Sequence, residues 1–502
     1  MDVFQSLFYG FSIGLQPANL LFCFLGVLMG TLVGVLPGLG PMGAIAILLP
    51  ATFRMSPVTA IIMLAGIYYG AMYGGSTTSV LVNIPGEAAS VVTCLDGHEM
   101  AKGGRAGAAL GVAAFGSFIA GTLGLLGLML FAAPLSRFGL RFGPPEYFGV
   151  IFLGLTLIVY LSQGSVLRSL IMGGVGLILS CVGLDRITGS TRMTFDMLEL
   201  WNGIDMVALG MGLFGISEIL ITLEESASPE ILKAEIKNLL PNRSDWKQAR
   251  GPILRGSVLG FFLGILPGGG AVISSFLSYG LEKRLSGTPE RFGKGAIEGI
   301  AGPEAANNAA TSGAFVPFLT LGIPPNVVMA LLFGALLIHG IRPGPFLLKD
   351  HPDLFWGLIS SMYIGNVMLL VLNLPLIPVW VQVLKIPYRI LFPLILLFCI
   401  IGSYSLNNSP FDVLVMVFFG ILGYLFRKFG YEAAPLTLAF VLGPMLELNL
   451  RQSLLVSHGS LMIFFTRPIS AVAILVAVAL FLTSFLPYFK KGEKRRRLHT
   501  ED

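Results

Sequence analysis

A chain of 502 residues that is 55% hydrophobic, only 12% charged and of mean hydropathy +0.82 carries too little charge to cover a water-soluble fold of its size. The formal net charge of +5 is no nucleic-acid signal, because much of it sits in the tail Lys-Lys-Gly-Glu-Lys-Arg-Arg-Arg at 490–497. Continuous apolar runs near the roughly 20 residues that cross a bilayer core recur from about residue 18 to 489; they exclude a β-barrel and predict an all-α polytopic membrane protein.

In chain order, an apolar helix runs from about 18 to a break at Pro37-Gly38, followed by a short segment at 41–53. A helix at 57–74 ends in Tyr73-Gly74-Gly75. Residues 76–86, polar then apolar, read as a half-helix that begins inside the membrane. A loop at 95–105 with Lys102 and Arg105 leads to a long apolar stretch at 106–135, then to spans near 145–161, 166–184 and 203–223. Residues 224–250 mix both charge signs and read as a cytoplasmic linker, with a short helix between Pro229 and Pro241. A second series follows: a broken helix at 253–266, a short segment at 270–285, a helix at 294–311 and a polar-to-apolar piece at 311–326. Further spans are expected near 327–341, 354–384, 388–406, 410–427, 433–450 and 454–489. The chain thus divides into an N-terminal membrane half (1–223), the linker (224–250), a C-terminal membrane half (251–489) and a basic tail (490–502). The N-terminus has no basic n-region, so no cleaved signal peptide is expected. Cys23, Cys94, Cys181 and Cys399 are scattered and read as packing residues.

The two series share a unit. GVLMGTLVGVLPGLG (26–40) and GSVLGFFLGILPGGG (256–270) match at Gly26/Gly256, Gly30/Gly260, Gly34/Gly264, Leu36/Leu266, Pro37/Pro267, Gly38/Gly268 and Gly40/Gly270. Ile84-Pro85-Gly86 and Ile323-Pro324-Pro325 extend the match. Paired hydrophobic helices broken by Leu-Pro-Gly at membrane depth point to the binding site of a secondary transporter. The loop at 53–57 holds Arg54 alone among basic residues, whereas its counterpart at 282–295 is strongly basic. Conversely, the basic loop at 95–105 corresponds to the Pro- and Asp-rich 342–353. The copies therefore read as two inverted-topology repeats with broken helices and re-entrant hairpins. Linker and C-terminus are expected in the cytoplasm and the N-terminus in the periplasm.

Polar groups cluster at corresponding places. Ser76, Thr77, Thr78 and Asn83 in the first series, and Asn307, Asn308, Thr311 and Ser312 in the second, are candidates to bind a substrate. At a half-helix N-terminus the free N–H groups and partial positive charge, with hydroxyls and amides around them, hold a carboxylate without a buried arginine. The broken backbones at Leu36, Pro37, Gly38 and Gly40, and at Leu266, Pro267, Gly268 and Gly270, free carbonyl oxygens that suit a hard cation such as Na⁺. Glu304, beside Asn307, is a candidate intramembrane acid. The plainer readings are that single hydroxyls of Ser76–Ser79 bond their own backbone, that the glycine ladders are helix packing, and that Glu218, Arg342, Arg427 and Arg451 anchor helix ends. An enzyme is not indicated. His98-Glu99 lacks the second histidine of HExxH, and there is no Walker A sequence and no nucleophile elbow.

GVLPGLGP (34–41), GGSTTSVLVNIPGEAASVVTCLDGHEMAKGGRAGAALG (74–111), GLFGISEIL (212–220), LGILPGGGAV (263–272) and GPEAANNAATSGAFVPFLTLGIPPN (302–326) together resemble the TctA family, the large membrane subunit of tripartite tricarboxylate transporters. The resemblance covers most of the chain in order, and the DGHEMAKGGRAG segment is its most specific part. It implies a bacterial inner-membrane, multi-pass symporter driven by an ion gradient, with Na⁺ as coupling ion and H⁺ as the alternative. It also implies two partners: a small four-helix TctB-like membrane subunit and a periplasmic TctC-like binding protein that delivers citrate or a related di- or tricarboxylate. No organic cofactor is called for, and a homo-oligomer is left open. By analogy with other carboxylate transporters that carry Ser-Asn-Thr clusters at hairpin tips, an elevator-like movement is expected. A carboxylate-permeable channel and a stand-alone proton-coupled permease for another organic anion are the competing readings.

Overall fold

A computed structural model describes residues 3–36, 40–161, 165–185, 187–225, 239–384 and 388–498. In chain order the helices are α1 (Val3–Gly14), α2 (Pro17–Val35), α3 (Gly40–Leu48), α4 (Pro57–Val82), α5 (Val91–Lys102), α6 (Ala106–Gly139), α7 (Pro144–Tyr160) and α8 (Val166–Ser180). Then come α9 (Met206–Gly210), α10 (Ser217–Glu225), α11 (Arg243–Ile265), α12 (Gly270–Leu285), α13 (Glu298–Leu321), α14 (Val327–Ile338), α15 (Leu347–Asp350) and α16 (Pro352–Asn373). Last are α17 (Ile377–Val383), α18 (Tyr388–Asn407), α19 (Pro410–Lys428), α20 (Ala433–Val456), α21 (Ile463–Thr466) and α22 (Pro468–Leu498). A single turn of π-helix at Met211–Ile216 joins α9 to α10. Among the described residues, seven helices are long and apolar enough to cross a membrane: 17–35, 57–82, 106–139, 206–224, 352–373, 410–428 and 433–456. The sheet content among those residues is one two-stranded ribbon, Gly183–Leu184 against Thr191–Arg192. The chain is an all-α polytopic membrane protein.

The chain forms two compact units, one of Met1–Leu140 with Asp205–Leu425 and one of Arg141–Ile204 with Phe426–Asp502. Each draws on both halves of the sequence. In the second unit α7 and α8 pack on α20 and α22. A charged cluster ties its loop to α20. Arg451 bonds Asp185 at 2.6 Å and Glu447 at 3.1 Å, and Arg192 grips Glu447 through both guanidinium nitrogens at 2.7 and 3.1 Å. Arg451, expected as a simple helix-end anchor, is a partner in this network.

The first unit is built on two helical hairpins. α2 ends at Val35 and α3 begins at Gly40; α11 ends at Ile265 and α12 begins at Gly270. The second hairpin closes on itself, since Arg255 on α11 pairs with Glu282 at the far end of α12. In the first, Thr59 at the start of α4 donates to Asn19 near the start of α2 at 2.7 Å, so the chain has returned to where it entered. Each hairpin lies along a long helix running parallel to its first arm. A Cβ on Gly26, Gly30 or Gly34 would collide with the backbone of Met63, Ile67 or Ala71 on α4. One on Gly256, Gly260 or Gly264 would collide with Gly302, Ala306 or Ala310 on α13. The glycine ladders therefore set contact distance, the role small residues play where lipid gives no hydrophobic drive to helix association.

Several expectations need correction. Residues 76–86 and 311–326 are not separate half-helices. Ser76–Ser79 occupy the last turns of α4, and Asn307–Ser312 lie in mid-α13. Gly74 and Gly75 do not break α4 because they are contact glycines, with no room for a Cβ against Thr31 and Glu87. Pro303 and Pro317 sit inside α13 without ending it; Ser275 donates across to the Pro303 carbonyl at 3.4 Å. The true ends are left-handed residues followed by proline: Asn83 (φ 59) before Pro85, and Gly322 (φ 70) before Pro324. The expected loop at 95–105 is mostly α5. The span expected at 354–384 is two helices, α16 and α17, interrupted at 374–376. The linker is shorter than its charge suggests: Asn242 caps α11 by accepting from Ser244 and Asp245, so 243–250 are helical. The short helix expected between Pro229 and Pro241 falls largely outside the described residues, as do 499–502 of the tail.

Candidate functional site

α4 and α13 run antiparallel and bring the two polar clusters onto one seam. Ser76 reaches the Glu304 carboxylate. Eight residues earlier on α4, the Tyr68 hydroxyl meets Thr311 and accepts from Asn326 at 3.2 Å. Glu304 is fully buried. Thr93 of α5 donates to its Oε1, and Asn307 donates to its Oε2 at 3.2 Å. Asn308 donates to the Ser117 hydroxyl of α6 at 2.8 Å, to the Glu304 carbonyl at 3.0 Å and to Asn307 Oδ1. A buried amide with this many partners is fixed in one rotamer.

A narrow cleft opens beside this seam, lined by Tyr73, Ser76, Thr77, Ser117 and Asn373 together with Leu110, Ala113 and Ala114 of α6. Tyr73 is held by donation to Asn366 Oδ1 at 2.6 Å. Asn373 uses its amide nitrogen on the Leu369 carbonyl, while its Oδ1 is buried and unpartnered among the described residues. The lining carries neutral groups and no cationic side chain, and the hydroxyls of Thr77 and Ser117 are the donors suited to an oxygen-rich anion, by hydrogen bonds rather than ion pairs.

The predicted residues therefore divide. Ser76 and Thr77 face the cleft, and Asn308 backs it through Ser117. Asn307 attends to Glu304. Thr78 is turned away, donating to the Val35 carbonyl at the end of α2 at 2.7 Å. Thr311 bonds back to the Asn307 carbonyl at 3.0 Å, the plain intrahelical use of a membrane threonine. Ser312 is buried against Gly124 of α6. Asn83 caps α4 on the surface, apart from the others. Because both clusters lie within continuous helices, their own backbone N–H groups are not free for a ligand; the free helix starts are at the hairpin tips.

At those tips, Leu36 closes α2 and Gly40 (φ +55) opens α3, with Pro37 and Gly38 outside the described residues. In the second hairpin Leu266 and Pro267 leave α11, and Gly270 (φ +35) opens α12. Gly268, at φ 78, donates its N–H to the Pro325 carbonyl at 2.9 Å, which staples the tip to the turn after α13. Ser117 and Asn373 were not foreseen. Each is a lone polar residue in or at the end of an apolar run, and such a residue carries no periodic signal; Asn373 before Pro375 reads only as a helix stop.

Residues 20–438 match the family model described as the tripartite tricarboxylate transporter TctA family. The chain is 51% identical, over the full length of both, to an "uncharacterized 52.8 kDa protein in TAR-I ttuC' 3'region" of Agrobacterium vitis. It is 52% identical over 243 residues to an "uncharacterized protein in TAR-II ttuC' 3'region" of the same organism, covering 48% of this chain and all of that one. No solved structure matches the chain. With seven candidate spans and a family match over most of its length, the chain is a multi-pass inner-membrane protein that belongs to the tripartite tricarboxylate transporter TctA family.

Proposed function

We propose that this chain is the subunit that moves the substrate, a di- or tricarboxylate such as citrate, inward across the membrane on an ion gradient, with Na⁺ as the coupling ion. A TctB-like small membrane subunit and a periplasmic TctC-like binding protein complete the system, the latter handing over the substrate. The observation that carries the reading is the pairing of two helical hairpins, each broken at Leu-Pro-Gly, beside a cleft of neutral donors. Transport proteins place their sites at such interruptions. Substrate carboxylates bind between the two clusters, on Ser76, Thr77 and Ser117, with Asn308 orienting Ser117. Backbone carbonyls at the two tips, Leu36–Gly40 and Leu266–Gly270, supply neutral oxygen ligands to the cation. The two halves act as inverted repeats, and the hairpins move against the rest in an elevator-like step.

The charge pattern supports the orientation. Arg105 pairs with Asp245, Arg255 with Glu282, and Asp96 accepts from the amides of Gly293, Gly295 and Ala296. The start of α6, the linker and the basic loop 282–295 thus meet at one end of the first unit, the cytoplasmic end by the positive-inside rule. Uptake measurements in cells expressing all three subunits test the site. Thr77→Ala is expected to cut affinity on the order of ten- to a hundred-fold, as loss of a hydrogen bond to a charged group does, and Asn308→Ala is expected to weaken it in the same direction by freeing Ser117. Ser180→Ala and Ser484→Ala, in the other unit, are expected to change little. Normal uptake by well-expressed Thr77→Ala and Asn308→Ala proteins would place the binding site elsewhere.

A further inference from the structure

Glu304 has a neighbour that the reading above does not use. Gly86 packs directly on the Gly34 carbonyl, at the broken end of α2, and on Gly75 of α4. The next residue, Glu87, lays its side chain against Gly75, where a Cβ would stand 3.0 Å from Glu87 Cγ. Ser76, one residue on, reaches Glu304. The two carboxylates therefore lie beside consecutive residues of α4 and interact with each other. Both are buried: Glu87 is 7% exposed and Glu304 0%. Neither has a basic partner among the described residues. Glu87 Oε2 accepts from the Ala89 N–H at 2.6 Å, but Oε1 is buried with no hydrogen-bond partner among the described residues. An orphan carboxylate oxygen in a dry interior is a position that a cation completes.

Among the described residues the surroundings supply no counter-charge. Tyr68 and Tyr73 on α4 and Cys94 on α5 are ionisable groups that interact with the pair, and none is cationic. His98 is turned to the Val80 carbonyl, Asp96 is occupied by Tyr279 and the 293–296 amides, and Glu282 of α12 is paired with Arg255. Two buried carboxylates beside consecutive residues of α4, with no counter-charge among the described residues, favour a bound proton or metal cation over two bare charges.

We propose that Glu87 and Glu304 together carry the coupling cation, one H⁺ or Na⁺ held across Gly75-Ser76 beside the tip of the first hairpin. Binding and release of that charge on the two sides of the membrane couple the gradient to the substrate. The inference rests on the transport reading and adds the residues that do the coupling.

The experiment uses the chain in proteoliposomes with its small membrane partner and its binding protein. Accumulation is driven by a Na⁺ gradient at equal pH, or by a pH gradient without Na⁺; the arm that drives the wild type identifies the ion. Exchange of labelled for unlabelled substrate is measured with no gradient. In Glu87→Gln and Glu304→Gln, accumulation is expected to fall by at least about tenfold while exchange stays within about threefold of wild type. Accumulation at wild-type level, or exchange lost in parallel in well-folded protein, overturns the proposal. If the Gln variants do not fold, Glu87→Asp and Glu304→Asp decide. They are expected to shift the ion concentration for half-maximal accumulation several-fold, and an unchanged value overturns the proposal. A wild type with neither accumulation nor exchange would remove the transport reading itself.

Discussion

Thr77 and Thr78 are adjacent, chemically identical and both buried, yet the structure gives them different work. Thr77 lines the cleft, whereas Thr78 spends its hydroxyl on the Val35 carbonyl and joins α4 to the first hairpin. Thr77→Ala is therefore expected to raise the KM for uptake with little change in thermal stability. Thr78→Ala leaves a helix-end carbonyl without its donor, costing about 1–3 kcal/mol of stability, and is expected to leave KM close to wild type. Uptake kinetics beside thermal unfolding of both variants check this, and the opposite split would reverse the assignment. The sequence could name the hydroxyl cluster, since polar runs in apolar surroundings stand out. It could not sort its members, because one residue along a helix is a turn of about 100° and only the neighbours decide what that direction meets. Ser117 and Asn373 show the converse: their place in the cleft lining comes from distant elements converging on it.

At the scale of elements, the hairpin breaks were legible because Leu-Pro-Gly acts locally, through a missing donor and a permissive glycine. The helix starts assigned to Ser76 and to 311 were not. Gly-Gly before a polar run imitates a cap, but Gly74 and Gly75 are contact residues and the helix runs on to Asn83. Glycine thus has two roles here, and a pair of substitutions separates them. Gly268 is left-handed and staples the tip to Pro325, so Gly268→Val is expected to cost about 1–3 kcal/mol and to depress transport. Gly280, within α12, has open space where a Cβ would go, so Gly280→Ala is expected to be neutral or to stabilise by up to about 1 kcal/mol. Thermal unfolding of the two variants tests this; equal effects would show that the tip geometry is not what matters.

For the whole molecule, the all-α membrane class and the order of the apolar segments could be read from the sequence, but the division into two compact units could not. It depends on α7 and α8 finding α20 and α22 across most of the chain. The second unit rests partly on charge. Arg451, with the amides of Ile187 and Thr188, holds the Asp185 carboxyl well below the usual carboxylate range. That contribution is present above about pH 4, where an unfolded aspartate ionises, and is lost as pH falls toward the depressed value. Asp185→Asn is accordingly expected to unfold at a lower temperature than wild type at pH 7, with the gap narrowing below about pH 4; a gap independent of pH would contradict it. The orientation is tested by single cysteines on a Cys-less background. Glu290→Cys is expected to react with an impermeant thiol reagent from the cytoplasmic side and Asp350→Cys from the periplasmic side; reversed labelling would invert the topology. The central claim, that this fold couples an ion gradient to carboxylate movement, is tested most directly in proteoliposomes containing the chain and its small membrane partner, with loaded binding protein outside. Labelled citrate should accumulate above its external concentration when an inward Na⁺ gradient is imposed, and should cease to accumulate when that gradient is collapsed. Flux of the same rate and extent with every ion gradient dissipated would contradict the account and make the protein a channel.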